Sequence, residues 1–405
     1  MVMARKYDVV IVGGFGHVGL PLGIALADRG CQVALYDVDE VRGKAVRAGT
    51  MPFLEYDAEP ILQQVLGRSL HVVDNLAAVA ASDSIVVTIG TPLDDYLNPQ
   101  LLPMIKLAEE LLPYLRDDHH VILRSTVCPG TSQRLHNFFS DQGRRVHLAF
   151  CPERIAQGYA IRELTKLPQV ISGFTEVAVE RAEALFKRLG AETVVVSVTE
   201  AELAKLFSNA WRYIQFAIAN QFYMMATEHG ADFARVHRAM TYGYERAEDL
   251  PTPGFTAGPC LLKDTMQLSA VYHNSFLLGH AAMLVNEGLP AFLVNQLQKT
   301  RDLRKEVVGI LGMAFKANVD DIRDSLSYKL GKLLQFQGAN VLCSDEFVAD
   351  PTFISKEELL RRSSIVIIGV PHSAYRDLAV SDDVTVIDLW GCLKTAKTEL
   401  LEEVV

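Results

Sequence analysis

A glycine-rich segment near the N-terminus places the strongest constraint on the fold of this chain. Gly14, Gly16 and Gly19 have the spacing G-x-G-x-x-G and follow a short β-branched run at residues 8–12. An apolar helical pattern begins at the third glycine, and the next apolar run ends at Asp37, 18 residues after Gly19. A strand, a glycine turn, a helix and a second strand that ends in an acid predict a parallel β-α-β unit.

Each part of this segment predicts a contact with a dinucleotide. Gly14 permits a tight turn, Gly16 lets the backbone approach a pyrophosphate, and Gly19 lets helix and strand pack closely. Free N–H groups at the start of the helix, around Val18, attract negative charge. Asp37 is expected to accept hydrogen bonds from ribose hydroxyls. This favours NAD over NADP, because the carboxylate would repel a 2′-phosphate.

Two side chains of this region allow more than one interpretation. Arg42 lies about one helical turn beyond Asp37, so it either reaches the ribose or is a solvated surface residue. Asp37 itself could be a plain helix cap, because aspartate is common at such positions. The glycine spacing and the acid together favour the dinucleotide interpretation, since either feature alone is weak evidence.

Apolar runs alternate with helical stretches along most of the chain, a pattern that predicts mostly parallel sheets covered on both faces. The expected fold class is α/β, with two Rossmann-like parallel-sheet domains joined by a long central helix and a helical middle domain. The predicted strands are residues 8–12, 32–36, 84–89, 120–123, 146–150, 170–171 and 193–196 in the first part, and 307–311, 340–344, 364–368 and 385–387 in the second.

The segment from Thr199 to about His229 has no proline and no internal glycine, which predicts one long helix. About 30 residues at 1.5 Å per residue give a length of about 45 Å. The segment is apolar over much of its circumference and should be buried on several sides, one of them a contact between subunits. The predicted domains are therefore residues 1–198, 199–304 and 305–405.

The composition excludes several classes of protein. Apolar residues make up 49% and charged residues 22% of the 405 positions, which is ordinary for a globular protein and unlike a disordered chain, a collagen or a coiled coil. The net charge of −10 argues against a general nucleic-acid or membrane-surface binder. A membrane span is not expected, since no apolar run reaches about 18 residues. The cytoplasm is the expected compartment.

Cys260 differs from the other five cysteines. It lies in a loop with Gly254, Gly258 and Pro259, where a thiol can be exposed and act as a nucleophile. The local sequence alone also allows an ordinary exposed cysteine. The six cysteines are spread along the chain without a C-x-x-C pair, so neither a disulfide framework nor a metal site is predicted. Packing roles are expected for four of the others, which are Cys31, Cys128, Cys151 and Cys343.

A hydride acceptor and a nucleophilic thiol together point to a particular reaction. Oxidation of an alcohol to a carboxylate removes four electrons, and NAD accepts a hydride, which carries two. Two rounds are needed, and the aldehyde between them must not escape. A thiolate traps the aldehyde as a thiohemiacetal, which yields a thioester after the second hydride transfer. Acid and base groups for the alcohol and the water are then required, with lysine and aspartate the expected types.

The motifs, in order, resemble those of the UDP-glucose/GDP-mannose dehydrogenases, which are NAD-dependent enzymes that oxidise the C6 alcohol of a nucleotide sugar to the uronic acid. The resemblance covers nearly the whole chain. The matching segments are Gly14–Pro21, Gly90-Thr91-Pro92, Ser125–Thr131, Cys151-Pro152-Glu153-Arg154, Ala201-Glu202 with Lys205 and Asn209, Pro253-Gly254-Phe255 with Gly258, Cys260, Lys263 and Asp264, Gly312–Lys316, and Asp321–Ser325.

The resemblance implies a role for each matched residue. Cys260 would be the nucleophile, Lys205 and Asp264 would handle the proton and the hydrolytic water, and Lys205 with Asn209 would hold the developing oxyanion. Thr126 would position water or the sugar hydroxyl. Glu153 would assist acid–base work or order the nicotinamide side.

Binding roles follow in the same way. Thr91, Thr126 and Arg323 would contact NAD, while Lys205, Asn209, Phe255, Gly258 and Lys316 would line the nucleotide-sugar site. The N-terminal domain would bind NAD, the middle domain would carry the catalytic loop and the homodimer contact, and the C-terminal domain would bind the nucleotide sugar. His372 is expected to be structural.

The chain departs from the family pattern in ways that leave the sugar open. Gln157 stands where the UDP-glucose branch has a second glutamate, which resembles the UDP-N-acetylhexosamine branch. Lys263 and Asp264 keep the pattern of the UDP-glucose branch, and Pro259 replaces a glycine. UDP-glucose and UDP-N-acetylhexosamines, such as UDP-N-acetylmannosamine, are both candidate substrates, and polysaccharide biosynthesis is the expected context.

Two other functions remain as alternatives. A two-electron NAD-dependent dehydrogenase of a 3-hydroxy acid shares the β-α-β start and a helical spine, but it needs neither Cys260 nor a second α/β domain. A non-catalytic protein that binds NAD or a nucleotide sugar would explain both α/β domains. It would leave the joint presence of Cys260, Lys205, Asn209 and Asp264 without a reason.

Overall fold

A computed structural model describes residues 6–256 and 258–393. They form two compact units. The first contains the residues up to Ser208 together with Ala270–His273, and the second contains Asn209–Ser269 and the residues from Asn274 onwards. The boundary between the units falls inside the long helix. The division into domains 1–198, 199–304 and 305–405 stays a prediction beside this arrangement.

The first unit contains an eight-stranded sheet. Its strands are β1 Tyr7–Val12, β2 Val33–Tyr36, β3 Leu70–Val72, β4 Ser82–Val87, β5 His120–Leu123, β6 His147–Phe150, β7 Gln169–Gly173 and β8 Thr193–Val195. They lie in the order β3-β2-β1-β4-β5-β6-β7-β8. Neighbouring strands are parallel except β6 and β7, which pair antiparallel.

Both faces of this sheet are buried. Val9 and Ile11 of β1 contribute to one apolar cluster, and Val10 and Val12 contribute to another. Successive side chains of a strand point to opposite faces, so helices must cover both. The α-helices of this unit are Gly19–Asp28, Glu40–Arg47, Ala58–Val65, Leu102–Leu111, Thr131–Asp141, Ala160–Glu163 and Glu176–Lys187, with short 3₁₀ helices at Leu76–Ala81 and Leu112–Tyr114.

The second unit contains a four-stranded parallel sheet. Its strands are β9 Val307–Leu311, β10 Asn340–Ser344, β11 Ile365–Ile368 and β12 Thr385–Ile387, in the order β10-β9-β11-β12. Its α-helices are Phe233–Thr241, Leu261–Val271 as far as Ser269, Leu277–Gln298, Leu326–Phe336 and Lys356–Arg362, with 3₁₀ helices at Leu303–Lys305 and Ser373–Tyr375.

The long helix extends over Val198–Glu228, which is 31 residues. It ends where Gly230 adopts a φ of 67°, in the left-handed region that glycine enters without steric cost. The predicted helix from Thr199 to about His229 is therefore confirmed to within one residue at each end.

The predicted α/β architecture with two parallel sheets is confirmed, and the predicted strands lie within about two residues of the observed ones. Two features were missed. Strand β3 is only three residues long and includes His71, so it gives no clear periodic signal. The antiparallel pairing of β6 with β7 is a matter of topology that local sequence does not encode.

Within the described residues, one helix, Leu277–Gln298, is long and apolar enough to cross a membrane, with a mean hydropathy of 1.4 over its most apolar window. Its buried residues Leu289, Leu293 and Val294 join Val308 and Ile310 of β9 in one apolar cluster. Core helices of globular domains pass the same test of length and composition. The helix is therefore weak evidence for a membrane span.

Candidate active site

The glycine turn after β1 is tied to the end of β2. The N–H groups of Gly13 and Gly14 donate to the carbonyl oxygen of Tyr36 at 3.0 and 2.9 Å. The next residue, Asp37, accepts a hydrogen bond from the N–H of Phe15 at 2.9 Å through one carboxylate oxygen. The other oxygen accepts from the N–H of Asp39 at 3.1 Å. The structure thus brings Asp37 to the glycine turn, as the spacing predicts.

The role predicted for Gly14 in the turn is wrong in detail. The left-handed residue is Gly13, with a φ of 85°. Gly14 is needed for close packing, because a Cβ there would lie 2.9 Å from the Cβ of Leu35. A Cβ on Gly19 would lie 2.3 Å from the carbonyl oxygen of Gly13, so Gly19 does allow close packing. Around Gly16 the nearest such contact is 3.5 Å, which leaves room for a ligand to approach.

The helix Gly19–Asp28 begins without a side-chain cap. Its N-cap residue, Val18, has no acceptor, and the first turn contains no acidic residue. The N–H groups at a helix start need acceptors, and a phosphate supplies them. Near Asp37, the side chains of Val38 and Val41 are 83% and 79% exposed, an apolar surface that a planar base could cover. These residues fit a dinucleotide.

In this structure Arg42 contacts two side chains of the first unit. Its Nε lies 3.5 Å from the Oδ2 of Asp39, and its guanidinium lies 5.9 Å from the centre of the Phe53 ring. The contact of Arg42 with the cofactor stays a prediction.

The segments after β4 and β5 are joined by two short hydrogen bonds. The hydroxyl of Thr91 donates to the carbonyl oxygen of Thr126 at 2.6 Å. The hydroxyl of Ser125 donates to the carbonyl oxygen of Ile89 at 2.7 Å. Both segments follow the carboxyl ends of parallel strands, the edge where open α/β sheets bind ligands. Thr91 and Thr126 are therefore brought together at the expected edge.

Glu153 is a buried structural carboxylate, and this argues against the predicted acid–base role. Its Oε2 accepts two hydrogen bonds from Arg124, one of them at 2.9 Å from Nε. Its Oε1 accepts from the backbone N–H groups of Arg154 and Ile155 at 2.7 and 3.0 Å. A carboxylate with both oxygens engaged in this way is fixed in place. The ordering role remains a prediction.

The loop after Glu153 contains Gln157, where the UDP-glucose branch has a second glutamate. Carboxylates from two other positions hold this loop. On either side of Gln157, the N–H of Ala156 donates to Glu163 at 2.5 Å and the N–H of Gly158 donates to Glu55 at 3.0 Å. Two carboxylates from elsewhere in the first unit therefore fix the backbone around this position.

Glu202 attaches the start of the long helix to the loop that carries Thr126. Its side chain is 1% exposed, and its two oxygens accept from the N–H groups of Gly130 and Ser132 at 2.7 and 2.9 Å. Those amides belong to the start of the helix Thr131–Asp141, where a negative charge is favourable. Lys205, one turn further along the long helix, is half-buried.

Cys260 is the exposed cysteine that the sequence predicts, and it immediately precedes the helix Leu261–Val271. Burial raises the pKa of Cys31, that of Cys151 to about 12, that of Cys343 to about 11 and that of Cys392 to about 12. These four thiols stay protonated at neutral pH. Only thiolates are good nucleophiles, so the chemistry favours Cys260 over them.

Asp264 and Asn209, both predicted catalytic residues, are in contact. The Nδ2 of Asn209 donates to the Oδ2 of Asp264 at 2.6 Å, and both side chains are buried. The Nζ of Lys263 lies 2.7 Å from the Oδ1 of Asp264. The Asp264 N–H donates to the carbonyl oxygen of Cys260 at 2.8 Å, which places the acid one helical turn after the thiol.

Arg323 lies near Cys260. Its Nε lies 3.0 Å from each carboxylate oxygen of the buried Asp321. The hydrogen bonds to Asp321, together with the charges of Asp321, Cys260 and Asp324, raise the pKa of Arg323. The same two loops also meet at Gly258, where a Cβ would lie 2.4 Å from the ring of Phe315. The predicted contact of Arg323 with NAD stays a prediction beside this arrangement.

Phe255 does not offer its side chain to a ligand, contrary to the prediction. It is 3% exposed and belongs to the apolar cluster that includes Leu293 and Ile310. Lys316 is half-buried and directly follows Phe315. Its contact with a nucleotide sugar remains a prediction.

The turn after β9 repeats the one after β1. Gly312 has a φ of 92°, and the N–H groups of Met313 and Ala314 donate to the Oδ2 of Asp345, at 2.6 and 2.9 Å. The side chain of Asp345 is fully buried, and the Nε2 of His372 lies 3.1 Å from the same oxygen. Burial alone would raise the pKa of Asp345, but its hydrogen bonds to His372 and to backbone amides bring the pKa to about 2. Asp345 is thus closed to ligands, and His372 is structural.

Two residues that hold loops of this region were missed at the sequence level. Asp345 ends the second strand after a glycine turn, as Asp37 does, and that spacing could have revealed it. Arg124 gave no signal, because nothing in sequence pairs it with Glu153. Within residues 6–256 and 258–393, no group of three or more His, Cys, Asp or Glu side chains is arranged to hold a metal ion.

Comparison with known proteins identifies the class. The model of the UDP-glucose/GDP-mannose dehydrogenase NAD binding domain matches residues 8–190, the central domain matches 199–287, and the UDP binding domain matches 309–395. With the dinucleotide turn, these matches define an NAD-dependent oxidoreductase. The chain belongs to the UDP-glucose/GDP-mannose dehydrogenase family.

Individual relatives extend over almost the whole chain. UDP-N-acetyl-D-mannosamine dehydrogenase of Methanocaldococcus jannaschii is 27% identical over 382 residues, which are 92% of this chain and 88% of that protein. The structure of a UDP-glucose dehydrogenase from Pyrobaculum islandicum has a TM-score of 0.87 at 26% identity, covering 96% of this chain and 95% of the other. The UDP-D-ManNAc dehydrogenase of Pyrococcus horikoshii has a TM-score of 0.87 at 25% identity, with coverage of 95% and 96%.

Proposed function

We propose that this protein oxidises the C6 alcohol of a nucleotide sugar to the uronic acid in two NAD-dependent rounds. The observation that carries the proposal is the setting of Cys260, an exposed thiol at the start of a helix, near Arg323. A cation and a helix start both favour the thiolate. The buried pair Asn209 and Asp264 lies one turn further along. A dehydrogenase that removes a single hydride has no use for this thiol.

The glycine turn and Asp37 would hold NAD, which would accept one hydride in each round. In the first round the alcohol loses a hydride from C6 and a proton from its oxygen, and the product is an aldehyde. Lys205 and Thr126 are assigned to the hydroxyl and to its proton. Cys260 then adds through sulfur to the aldehyde carbon, and the resulting thiohemiacetal keeps the aldehyde from escaping.

In the second round the thiohemiacetal loses a hydride from C6 and a proton from its hydroxyl, and a thioester forms. Asn209 and Lys205 are assigned to the negative charge that develops on the oxygen. Water then attacks the thioester carbon, the carbon–sulfur bond breaks, and Asp264 is assigned to the proton of the water. The carboxylate leaves, and Cys260 is regenerated.

The nucleotide part of the substrate is assigned to the second α/β unit. The match of that unit to the UDP binding domain supports a uridine diphosphate. Two sugars are the first to test. UDP-N-acetylmannosamine is supported by Gln157 and by the similarity to the Methanocaldococcus UDP-N-acetyl-D-mannosamine dehydrogenase. UDP-glucose is supported by Lys263 and Asp264 and by the similarity to the Pyrobaculum UDP-glucose dehydrogenase.

A homodimer that forms through the long helix, in the cytoplasm, remains part of the proposal. Apolar side chains that stay exposed on that helix support the contact between subunits. The net charge of −10 and the two small anionic ligands require no nucleic-acid or membrane partner. Uronic acids of nucleotide sugars serve polysaccharide biosynthesis, which is the proposed context.

The test measures NADH formed per molecule of nucleotide sugar consumed. Purified protein with NAD is offered UDP-glucose, UDP-N-acetylglucosamine, UDP-N-acetylmannosamine, GDP-mannose and dTDP-glucose in turn. The proposal expects two NADH per uronate with one of them. Cys260→Ala is expected to lower the rate at least a thousandfold, as removal of a catalytic nucleophile does. Cys343→Ala, which removes a protonated thiol from β10, is the matched control and should keep the activity.

Other outcomes would redirect the assignment. One NADH per substrate, with activity that survives in Cys260→Ala, would establish a two-electron dehydrogenase. Binding of NAD and a UDP-sugar without turnover across the panel would establish a non-catalytic binding protein. Either result removes the thioester mechanism.

A further inference from the structure

A pair of buried asparagines holds the loop that precedes Cys260. Asn220 of the long helix and Asn286 of the helix Leu277–Gln298 are both fully buried. Both lie outside every motif used to assign the reaction. Buried amides normally have their hydrogen-bond partners nearby, because an unmet polar group costs about 1–3 kcal/mol.

Asn220 pairs with the backbone of the loop as a neighbouring strand would. Its Oδ1 accepts from the N–H of Gly254 at 2.8 Å, and its Nδ2 donates to the carbonyl oxygen of Gly254 at 3.1 Å. The same carbonyl accepts from the N–H of Thr256 at 2.9 Å. Both backbone groups of Gly254 are therefore satisfied.

Asn286 fixes the orientation of the Asn220 amide. Its Oδ1 accepts from the Nδ2 of Asn220 at 2.9 Å, and its Nδ2 donates to the carbonyl oxygen of Tyr213 at 3.0 Å. The Asn220 amide thus donates to two oxygens and accepts from one N–H, and only one orientation of its oxygen and nitrogen satisfies all three bonds. Trp390 packs closely against the loop, because a Cβ on Gly254 would lie 2.4 Å from its ring.

Asn220 and Asn286 together form a clamp on the loop at Gly254. This clamp complements the contact already described between Asn209 and Asp264. Asn209 and Asn220 are 11 residues apart, so they lie on the same face of the helix, about 16 Å apart along its axis. Asn209 holds Asp264, four residues after Cys260, and Asn220 holds Gly254, six residues before it. The segment that carries the thiol is thus fixed at both ends by one helix.

We propose that Asn220 and Asn286 are positioning residues for the reaction, which hold the loop so that Cys260 is presented to the substrate. The inference rests on the proposed function. Neither asparagine would touch the reacting atoms. A displacement of about 1 Å at a reacting group can lower a rate about a hundredfold. Loss of the clamp should therefore reduce turnover more than it reduces binding.

The experiment compares Asn220→Ala, Asn220→Asp and Asn286→Ala in the full chain. Asn220→Asp keeps an acceptor for the Gly254 N–H but loses the donor. Asn295→Ala is the matched control, because Asn295 is exposed on the same helix as Asn286. The measurements are kcat and KM for NAD, hydrogen exchange in the peptide 251–262, and the rate of Cys260 alkylation by iodoacetamide at pH 7, all below the melting temperature of each variant.

The expected result for Asn220→Ala is a kcat at least tenfold lower with a KM for NAD changed less than twofold. Exchange at Gly254 should be at least tenfold faster, and alkylation at least threefold slower as the thiol moves away from Arg323. Asn286→Ala and Asn220→Asp should change in the same direction by smaller factors, and Asn295→Ala should match the parent chain.

Unchanged exchange and alkylation in folded Asn286→Ala and Asn220→Asp would overturn the proposal, even if Asn220→Ala does not fold. A lower melting temperature with normal kcat per folded molecule would also overturn it, because that result describes a purely structural role. Absence of NADH with every sugar in the parent chain would count against the proposed function instead. The exchange and alkylation measurements would still decide whether the clamp positions the thiol.

Discussion

Single buried side chains decide how this protein responds to pH. His119 and His120 are both fully buried at the start of β5. Burial, with the charge of Arg116, lowers the pKa of His119 from 6.5 to about 4. Burial, with the charge of Arg181, lowers the pKa of His120 from 6.5 to about 3. Both imidazoles are therefore neutral in the folded chain at pH values where they are protonated in the unfolded chain.

The stability of the chain should fall on acidification because of these two residues. Below pH 6.5 the unfolded state binds protons that the folded state does not, so the free energy of unfolding decreases until the pH reaches about 4 for His119 and about 3 for His120. Each histidine contributes a slope of up to about 1.4 kcal/mol per pH unit. Above about pH 7 the two residues add no pH dependence.

Urea unfolding between pH 4.5 and 7.5 measures this slope. His119→Asn and His120→Asn should each make the profile flatter, since asparagine takes up no proton. His229→Asn, at an exposed position after the long helix, is the control and should leave the slope close to that of the parent chain. Equal slopes in the parent chain and both buried variants would contradict the assignment.

At the level of helices and strands, the start of the long helix depends on one carboxylate. Glu202→Gln keeps the size of the side chain but replaces one acceptor oxygen by an NH₂ group, which would face the N–H of Gly130 or Ser132. We expect a loss of about 1–3 kcal/mol in the free energy of unfolding. Glu228→Gln, exposed at the other end of the same helix, should change it by less than about 0.5 kcal/mol. Urea unfolding at pH 7.5 compares the two variants, and equal effects would contradict the role given to the Glu202 hydrogen bonds.

The elements themselves were largely predictable from sequence, while their side-chain contacts were not. Strand β1, the glycine turn and the helix Gly19–Asp28 follow from local patterns of apolar residues and glycines. Glu202 fell inside a matched motif, yet its partners Gly130 and Ser132 are about 70 residues away. Arg124 and Glu153 are likewise joined only by the fold. Long-range pairs of this kind depend on topology, and a single sequence contains no periodic signal for them.

At the scale of the whole molecule, the two units share a glycine turn that is hydrogen-bonded to an aspartate, but the two aspartates differ in their other contacts. In both, a left-handed glycine follows the first strand of the unit's parallel sheet, and an aspartate after a neighbouring strand accepts hydrogen bonds from the turn. Both aspartates are partly exposed as whole residues, but the side chain of Asp345 is fully buried, with the Nε2 of His372 3.1 Å from one of its oxygens. The carboxylate of the second acid is therefore engaged within the protein and is not open to a ribose. This difference supports separate ligands for the two units, a dinucleotide for the first and another nucleotide for the second.

The proposed dimer is tested on the exposed apolar stripe of the long helix. Trp211, Ile218, Phe222 and Met225 are 59%, 40%, 38% and 51% exposed, and their spacing places them on one helix face. Exposed apolar stripes of this kind mark contacts between proteins, and a two-fold contact would pair the stripe with itself. Light scattering after gel filtration should give twice the chain mass of 44.8 kDa for the parent protein.

Trp211→Glu should convert the dimer to a monomer, because two buried carboxylates would face each other at a two-fold contact. Phe336→Glu is the matched control, since Phe336 is 85% exposed and lies on a different helix, so its mass should not change. The parent protein could instead be a monomer across micromolar concentrations, or the Trp211→Glu variant could remain a dimer. Either result would contradict the long helix as the subunit contact. Parallel alkylation of Cys260 in the variant separates assembly from chemistry, because the clamp that holds its loop lies within one chain.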